Sequence, residues 1–82
     1  MKIKLGRKAA RFLKRQNDTV KERIRNQLVN LRKDPVPHDA KFLGRDGPDR
    51  AFRIRIGQYR VLYSINHERV LVFTIEKRER AY

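Results

Sequence analysis

The sequence predicts an α+β domain in the order β-α-α-β-β-β, with two N-terminal helices packed on one face of a four-stranded, mainly antiparallel sheet. Three observations carry that prediction. Residues Phe52 to Tyr63, FRIRIGQYRVLY, alternate apolar and cationic side chains on both sides of Gly57-Gln58; alternation marks half-buried strands, because successive side chains point to opposite faces. Residues 7–33 instead space their apolar side chains three and four apart, the period of a helix packed along one stripe. Finally, 82 residues suffice for one core, so 1–82 reads as a single domain.

Each element follows in order. Lys2-Ile3-Lys4-Leu5 alternates and predicts a short first strand that ends at Gly6. Arg7 to Gln16 reads as a helix with Ala9, Phe12 and Leu13 on one side, broken by Asn17 and Asp18. Thr19-Val20-Lys21-Glu22 has the capping-box pattern, in which Thr and Glu reciprocally satisfy free backbone N–H groups. The helix that it opens aligns Val20, Ile24, Leu28 and Leu31, and stops near Asp34 because Pro35 disfavours a helical residue before it. Asp34 to Asp49 carries three prolines and two glycines and reads as one long connection, anchored by Lys41-Phe42-Leu43. Strands are predicted over 51–56 and 59–65, joined by a two-residue turn in which Gly57 supplies the positive φ. A turn at Asn66 to Glu68 leads into a last strand over 69–75.

The turn fixes a register: Ile56 opposite Tyr59, Arg55 opposite Arg60, Ile54 opposite Val61 and Phe52 opposite Tyr63. Phe52, Ile54, Ile56, Tyr59, Val61 and Tyr63 then face the core, and Arg53, Arg55, Arg60 and Leu62 face the other way. Arginines directly opposite one another repel, so this face is suited to an anion. The same alternation carried into the last strand puts Val70, Val72 and Thr74 on the core face. Leu71, Phe73 and Ile75 join Leu62 in an apolar strip that needs cover. That cover is a loop or tail of the chain itself, a protein partner, or nucleobases stacked on Phe73.

Charge narrows the partner. The chain holds 22 Lys and Arg against 9 Asp and Glu, a net charge of +13, with a sequence pI of about 11.1. Such an excess points to a polyanion, foremost nucleic acid. Lys8, Arg11, Arg15, Lys21, Arg25 and Arg32 lie on the predicted helices, as a solvated face or as contacts to RNA phosphates without sequence preference. The absence of cysteine excludes disulfide scaffolds, thiol chemistry and cysteine-based zinc sites. No His, Asp and Glu cluster has metal-ligand spacing, so neither metal nor cofactor is expected. His38, in the Pro-rich connection, and His67, in a turn, are placed away from the arginine face. No apolar run approaches membrane-spanning length, and no apolar h-region opens the chain; the expectation is a cytoplasmic protein without a membrane partner.

FRIRIGQYRVLYSI resembles the "YRlRvGdYRviYri" core of the RelE/ParE toxin superfamily, and the terminal KRERAY resembles its "HRReVY" ending. The whole length is similar to RelE-type messenger-RNA interferases of toxin–antitoxin systems. That resemblance implies a metal-independent endoribonuclease acting on messenger RNA in the ribosomal decoding site, inhibited by a cognate acidic or amphipathic antitoxin. The ribose 2′-hydroxyl would attack the adjacent phosphorus and expel the 5′-oxygen, leaving a cyclic phosphate. Arg53, Arg55 and Arg60 match the basic residues around the scissile phosphate. Arg78 matches the tail arginine that assists the leaving group, and Tyr82 the tail tyrosine, a candidate general base. Leu62, Leu71, Phe73 and Ile75 would form the antitoxin-binding strip. Guanidiniums on one strand face suit bidentate phosphate contacts, and clustered positive charge would lower a nearby tyrosine pKa from its ordinary ~10. Arginine itself stays protonated and transfers no proton. Two other readings stay open: a ParE-like inhibitor of DNA gyrase without nuclease activity, and a non-catalytic RNA- or ribosome-binding member of the superfamily.

Overall fold

Three hairpin turns, ten residues apart, organise the C-terminal half of the chain. In the computed structural model, which describes residues 1–78, the positive-φ positions Gly47 (φ 61°), Gly57 (φ 60°) and His67 (φ 52°) each begin a two-residue turn. The flanking pairs are Asp46 with Asp49, Ile56 with Tyr59, and Asn66 with Arg69. A positive φ at the first central residue gives the turn a twist that matches its strands.

The elements are β1 (Lys2–Leu5), α1 (Arg7–Lys14), α2 (Asp18–Lys33), β2 (Lys41–Asp46), β3 (Asp49–Ile56), β4 (Tyr59–Asn66) and β5 (Arg69–Lys77). They form a five-stranded sheet in the order β1-β5-β4-β3-β2. β1 runs parallel to β5 and every other pairing is antiparallel. Both helices lie on one face, α1 against β5 and α2 against β1 and β3. The α+β class, the helix placement and the β3–β4 register agree with the sequence reading.

The strand count is corrected from four to five. Lys41–Asp46, read as the middle of a loop, is β2, the outer strand beside β3. It has one neighbour, and most of its side chains are exposed, Phe42 and Leu43 among them. It therefore lacks the inside–outside alternation that marks a half-buried strand. A bulge between Phe42 and Gly44 interrupts it further, with Gly44 at φ 143°, where side chains are rarely tolerated.

A second bulge changes the reading of β5. Leu62 pairs with Thr74 but Tyr63 pairs with Val72, so Phe73 is the extra residue. One inserted residue reverses the facing of everything beyond it. Val70 and Val72 face the core as expected, but Ile75, expected in the open apolar strip, is 2% exposed in the core beside Val61. Thr74, expected in the core, is opposite Leu62 instead.

The core joins Ala9 and Leu13 of α1, Ile24, Leu28 and Leu31 of α2, and the inner faces of β3, β4 and β5. Tyr63 is fully buried there, its hydroxyl donating to the Pro35 carbonyl at 2.8 Å. That bond closes the end of the α2–β2 connection onto the sheet. Burial first, and then Asp39 and Asp34, push the Tyr63 phenol up to about 12. The cap of α2 is Asn17 rather than the Thr19–Glu22 box. Asn17 is extended, its side chain accepts from the Val20 N–H at 2.9 Å, and Thr19 falls inside the first turn.

Candidate nucleic-acid interface

Opposite the helices the sheet is uncovered, and its side chains follow from the same alternation. β3 turns Arg53 and Arg55 outward because Phe52, Ile54 and Ile56 turn in. Arg60 of β4 is the direct partner of Arg55, held there by the Gly57-Gln58 turn. β5 crosses the end of this turn, where the Arg78 N–H donates to the Gln58 carbonyl. Arg78 thus reaches the same end of the sheet. Its charge is the largest cause lowering the Arg55 pKa, followed by Arg53, burial and Arg60. Mutual repulsion of this kind is the mark of like charges held close together.

Within the cluster, Arg60 Nη2 lies 3.4 Å from Glu76 Oε2, the one ion pair among the described residues. The Nε atoms of Arg53 and Arg60 are buried without a hydrogen-bond partner. Arg23 approaches the turn from α2, so that a Cβ on Gly57 would stand 2.7 Å from its Nη2.

Four of the five residues matched to the reaction, Arg53, Arg55, Arg60 and Arg78, therefore come together. Tyr82, the fifth, lies outside the described residues. Leu62, Leu71 and Phe73 are half-buried on the open face, while Ile75 leaves it for the core. Lys8, Arg11, Arg15, Arg25 and Arg32 are exposed and Lys21 partly so, all on the helices that cover the other face except Arg15, which caps the end of α1. Arg32 is tied to the N-terminus, its Nε 3.4 Å from the Met1 carbonyl. His38 is exposed, and His67 occupies the β4–β5 turn at the far end of the sheet from Arg55.

Two residues stand at the arginine end in positions that the sequence reading did not give. Lys41 pairs with Arg53 across β2 and β3, and was hidden because β2 was hidden; Asp46-Gly47, a hairpin signal, marked its end. Glu76 pairs with Arg60 only because of the bulge at Phe73. The apolar Ile75 beside the charged Glu76, out of phase with Val70 and Val72, was the available signal. The opposite end of the open face is concave. Clefts of about 370 Å³ there are lined by Asp49, Ser64, Asn66 and Leu71 on one side, and by Leu43, Ala51 and Phe73 on the other.

A small sheet with helices on one side and an open face on the other recurs in solved structures of RelE toxins. The chain is similar to the RelE chain of an archaeal RelE–RelB complex from Pyrococcus horikoshii OT3, at 26% identity and a TM-score of 0.87. That match covers 98% of this chain and 97% of the other. It has the fold of the isolated E. coli RelE toxin, at 23% identity, TM-score 0.76, 98% of this chain and 86% of that one. The toxin in the intact E. coli RelBE toxin–antitoxin complex matches at 23% identity and a TM-score of 0.74, covering 96% of this chain and 98% of that chain. A search of curated protein sequences finds no match. Residues 3–82 match the family model described as the ParE toxin of the type II toxin–antitoxin system parDE, and the chain belongs to that family within the RelE/ParE superfamily.

Proposed function

We propose that this toxin is a RelE-type endoribonuclease, cleaving messenger RNA in the ribosomal decoding site without a metal. The observation that carries the reading is the convergence of Arg53, Arg55, Arg60 and Arg78 at one end of the open face, close enough to depress the Arg55 pKa. Guanidiniums in that arrangement grip a phosphate by paired N–H donors and stabilise the charge that develops on its oxygens. In the reaction, the 2′-oxygen bonds to phosphorus, the P–O5′ bond breaks, and a cyclic phosphate and a 5′-hydroxyl result. Arg55 and Arg60 hold the phosphate, Arg53 extends the contact toward Lys41, and Arg78 assists the departing oxygen. By the superfamily resemblance, Tyr82 is a candidate base.

The P. horikoshii and E. coli relatives are found with RelB antitoxins. A cognate antitoxin for this chain would cover Leu62, Leu71 and Phe73 and bring acidic groups to the arginines. The half-buried state of these three side chains on an otherwise charged face supports that reading. The family model's ParE identity favours a second reading, a gyrase-directed toxin, which needs no phosphate-cleaving site.

Cleavage of a ribosome-bound message by wild type and Arg78→Ala separates the two. The ribonuclease cuts within the decoding site, and Arg78→Ala loses on the order of 10²-fold or more in rate, as removal of a transition-state charge partner does. An intact message at toxin concentrations that saturate the ribosome, together with inhibition of gyrase supercoiling, would replace this reading by the second.

A further inference from the structure

We propose that Glu76 is the proton acceptor of the cleavage step, taking the proton of the attacking 2′-hydroxyl; this rests on the ribonuclease reading above. Proton transfer is the part of the chemistry that the arginine cluster cannot perform, because a guanidinium stays protonated and offers donors only. Lys41, at the edge of the cluster, is likewise a cation. Glu76 is the acidic side chain that the described residues place among these cations.

Its position results from a specific irregularity. Without the extra residue Phe73, Ile75 would stand on the open face and Glu76 would point into the core. The bulge reverses this, burying Ile75 and setting Glu76 directly across from Arg60. Arg55, Arg60 and Glu76 then form one row across β3, β4 and β5. Neighbouring strands are ~4.8 Å apart, so the carboxylate stands one strand over from the Arg55–Arg60 pair that would grip the phosphate. The Glu76 side chain is 42% exposed, open to a substrate. Arg60 engages Oε2, which orients the group and leaves Oε1 to the substrate. The charged groups that bear on it are Arg60 of β4, Arg55 and Arg53 of β3, and Lys77 and Arg78 beside it in sequence. All are cations.

The step balances without a further reagent. Glu76 Oε1 takes the 2′-hydroxyl proton as the 2′-O–P bond forms. The P–O5′ bond breaks, the 5′-oxygen takes a proton from water, and Glu76 returns its proton to solvent. The products are the 2′,3′-cyclic phosphate and the 5′-hydroxyl end.

The test is single-turnover cleavage of ribosome-bound message between about pH 6 and 9, with saturating wild type, Glu76→Gln, Glu76→Asp and Tyr82→Phe, and ribosome binding measured in parallel. A carboxylate base is already ionised over this range, so the wild-type rate is flat with pH. Glu76→Gln keeps ribosome binding but loses ~10²–10⁴-fold in rate, the usual worth of a positioned base. Its residual rate climbs about tenfold per pH unit as hydroxide takes over. Glu76→Asp keeps the flat profile at a reduced rate, and a large Tyr82→Phe loss, with Glu76→Gln itself near wild type, would overturn the assignment. A Glu76→Gln rate within about threefold of wild type would overturn the assignment. So would a wild-type rate that itself climbs with pH, the behaviour of a phenol base. A loss confined to ribosome binding with the flat profile intact would also overturn it, since that is the signature of a merely structural contact to Arg60. A wild type that cleaves nothing fails the ribonuclease reading itself, and the base assignment with it.

Discussion

The two faces of the sheet are made by the same strands and obey opposite rules. The helix-covered face buries Phe52, Ile54, Ile56, Val61, Tyr63, Val70 and Val72 against α1 and α2, and no charged residue is buried among the described residues. The other face sets Arg55 against Arg60 and brings Arg53 and Arg78 beside them, with Glu76 as the one acidic partner in contact among the described residues. Apolar burial contributes ~25 cal/mol per Å² wherever it occurs, whereas like charges across a strand pair subtract. One face therefore holds the fold, and the other uses that stability to keep cations closer together than they would otherwise sit.

A pair of substitutions breaks this comparison open. Ile24, fully buried beneath the sheet, should cost ~2–5 kcal/mol when cut to alanine, read as a lower midpoint in urea unfolding. Arg55→Ala should leave the midpoint unchanged or raise it. Its depressed pKa means that the folded state disfavours the charged form, so removing the charge relieves repulsion at every pH below its titration. The same variant should bind single-stranded RNA more weakly, with a salt slope shallower by ~0.7 for each phosphate that the variant no longer neutralises. Equal destabilisation by both substitutions would mean that the faces are not divided in this way.

The division also explains what could be read from the sequence. β3 and β4 are central, paired on both sides and buried on one face, so their alternation is uninterrupted and gives register, faces and arginine row together. β2 is an outer strand held by backbone bonds to β3, with side chains mostly in solvent, so no burial pattern is imposed on it. β5 is central but bulged at Phe73, and alternation read through a bulge inverts everything beyond it. The arginines were legible because they sit in the regular hairpin. The positions of Lys41 and Glu76 were not, because Lys41 lies on the exposed outer strand and Glu76 lies beyond the bulge in its own strand β5.

Tyr63 sharpens the comparison by placing one polar group inside the apolar face. Its hydroxyl is satisfied by the Pro35 carbonyl, and its pKa is pushed up to about 12 against an ordinary ~10. A phenol whose folded pKa is raised contributes stability that is fully present below the unfolded value. That contribution is lost as pH rises through the folded one. Wild type should therefore lose stability between pH ~10 and about 12, beyond what lysine titration removes. Tyr63→Phe should lose that part of the pH dependence and cost ~0.5–1.5 kcal/mol near neutrality, the worth of one hydrogen bond. Urea midpoints of both proteins across this range measure it.

The smallest expected effect lies at the three turns, which belong to neither face. Gly47 and Gly57 take positive φ freely, but the third turn asks the same of His67, at φ 52°. A left-handed conformation costs an L-residue ~1–2 kcal/mol, and glycine gives back ~0.5–1 kcal/mol of that in lost chain entropy. His67→Gly should therefore stabilise by only a few tenths to ~1 kcal/mol. Gly57→Ala should destabilise by a similar amount. Its new methyl group meets only the end of the Arg23 side chain, which can swing aside, so backbone strain is what remains. Opposite signs at equivalent positions, with unchanged urea m-values, would show that turn conformation sets these energies independently of the charge above it. Destabilisation by His67→Gly would instead mean that the His67 side chain makes interactions worth more than its strain, and the far end of the open face would then be held by side chains rather than by its turn.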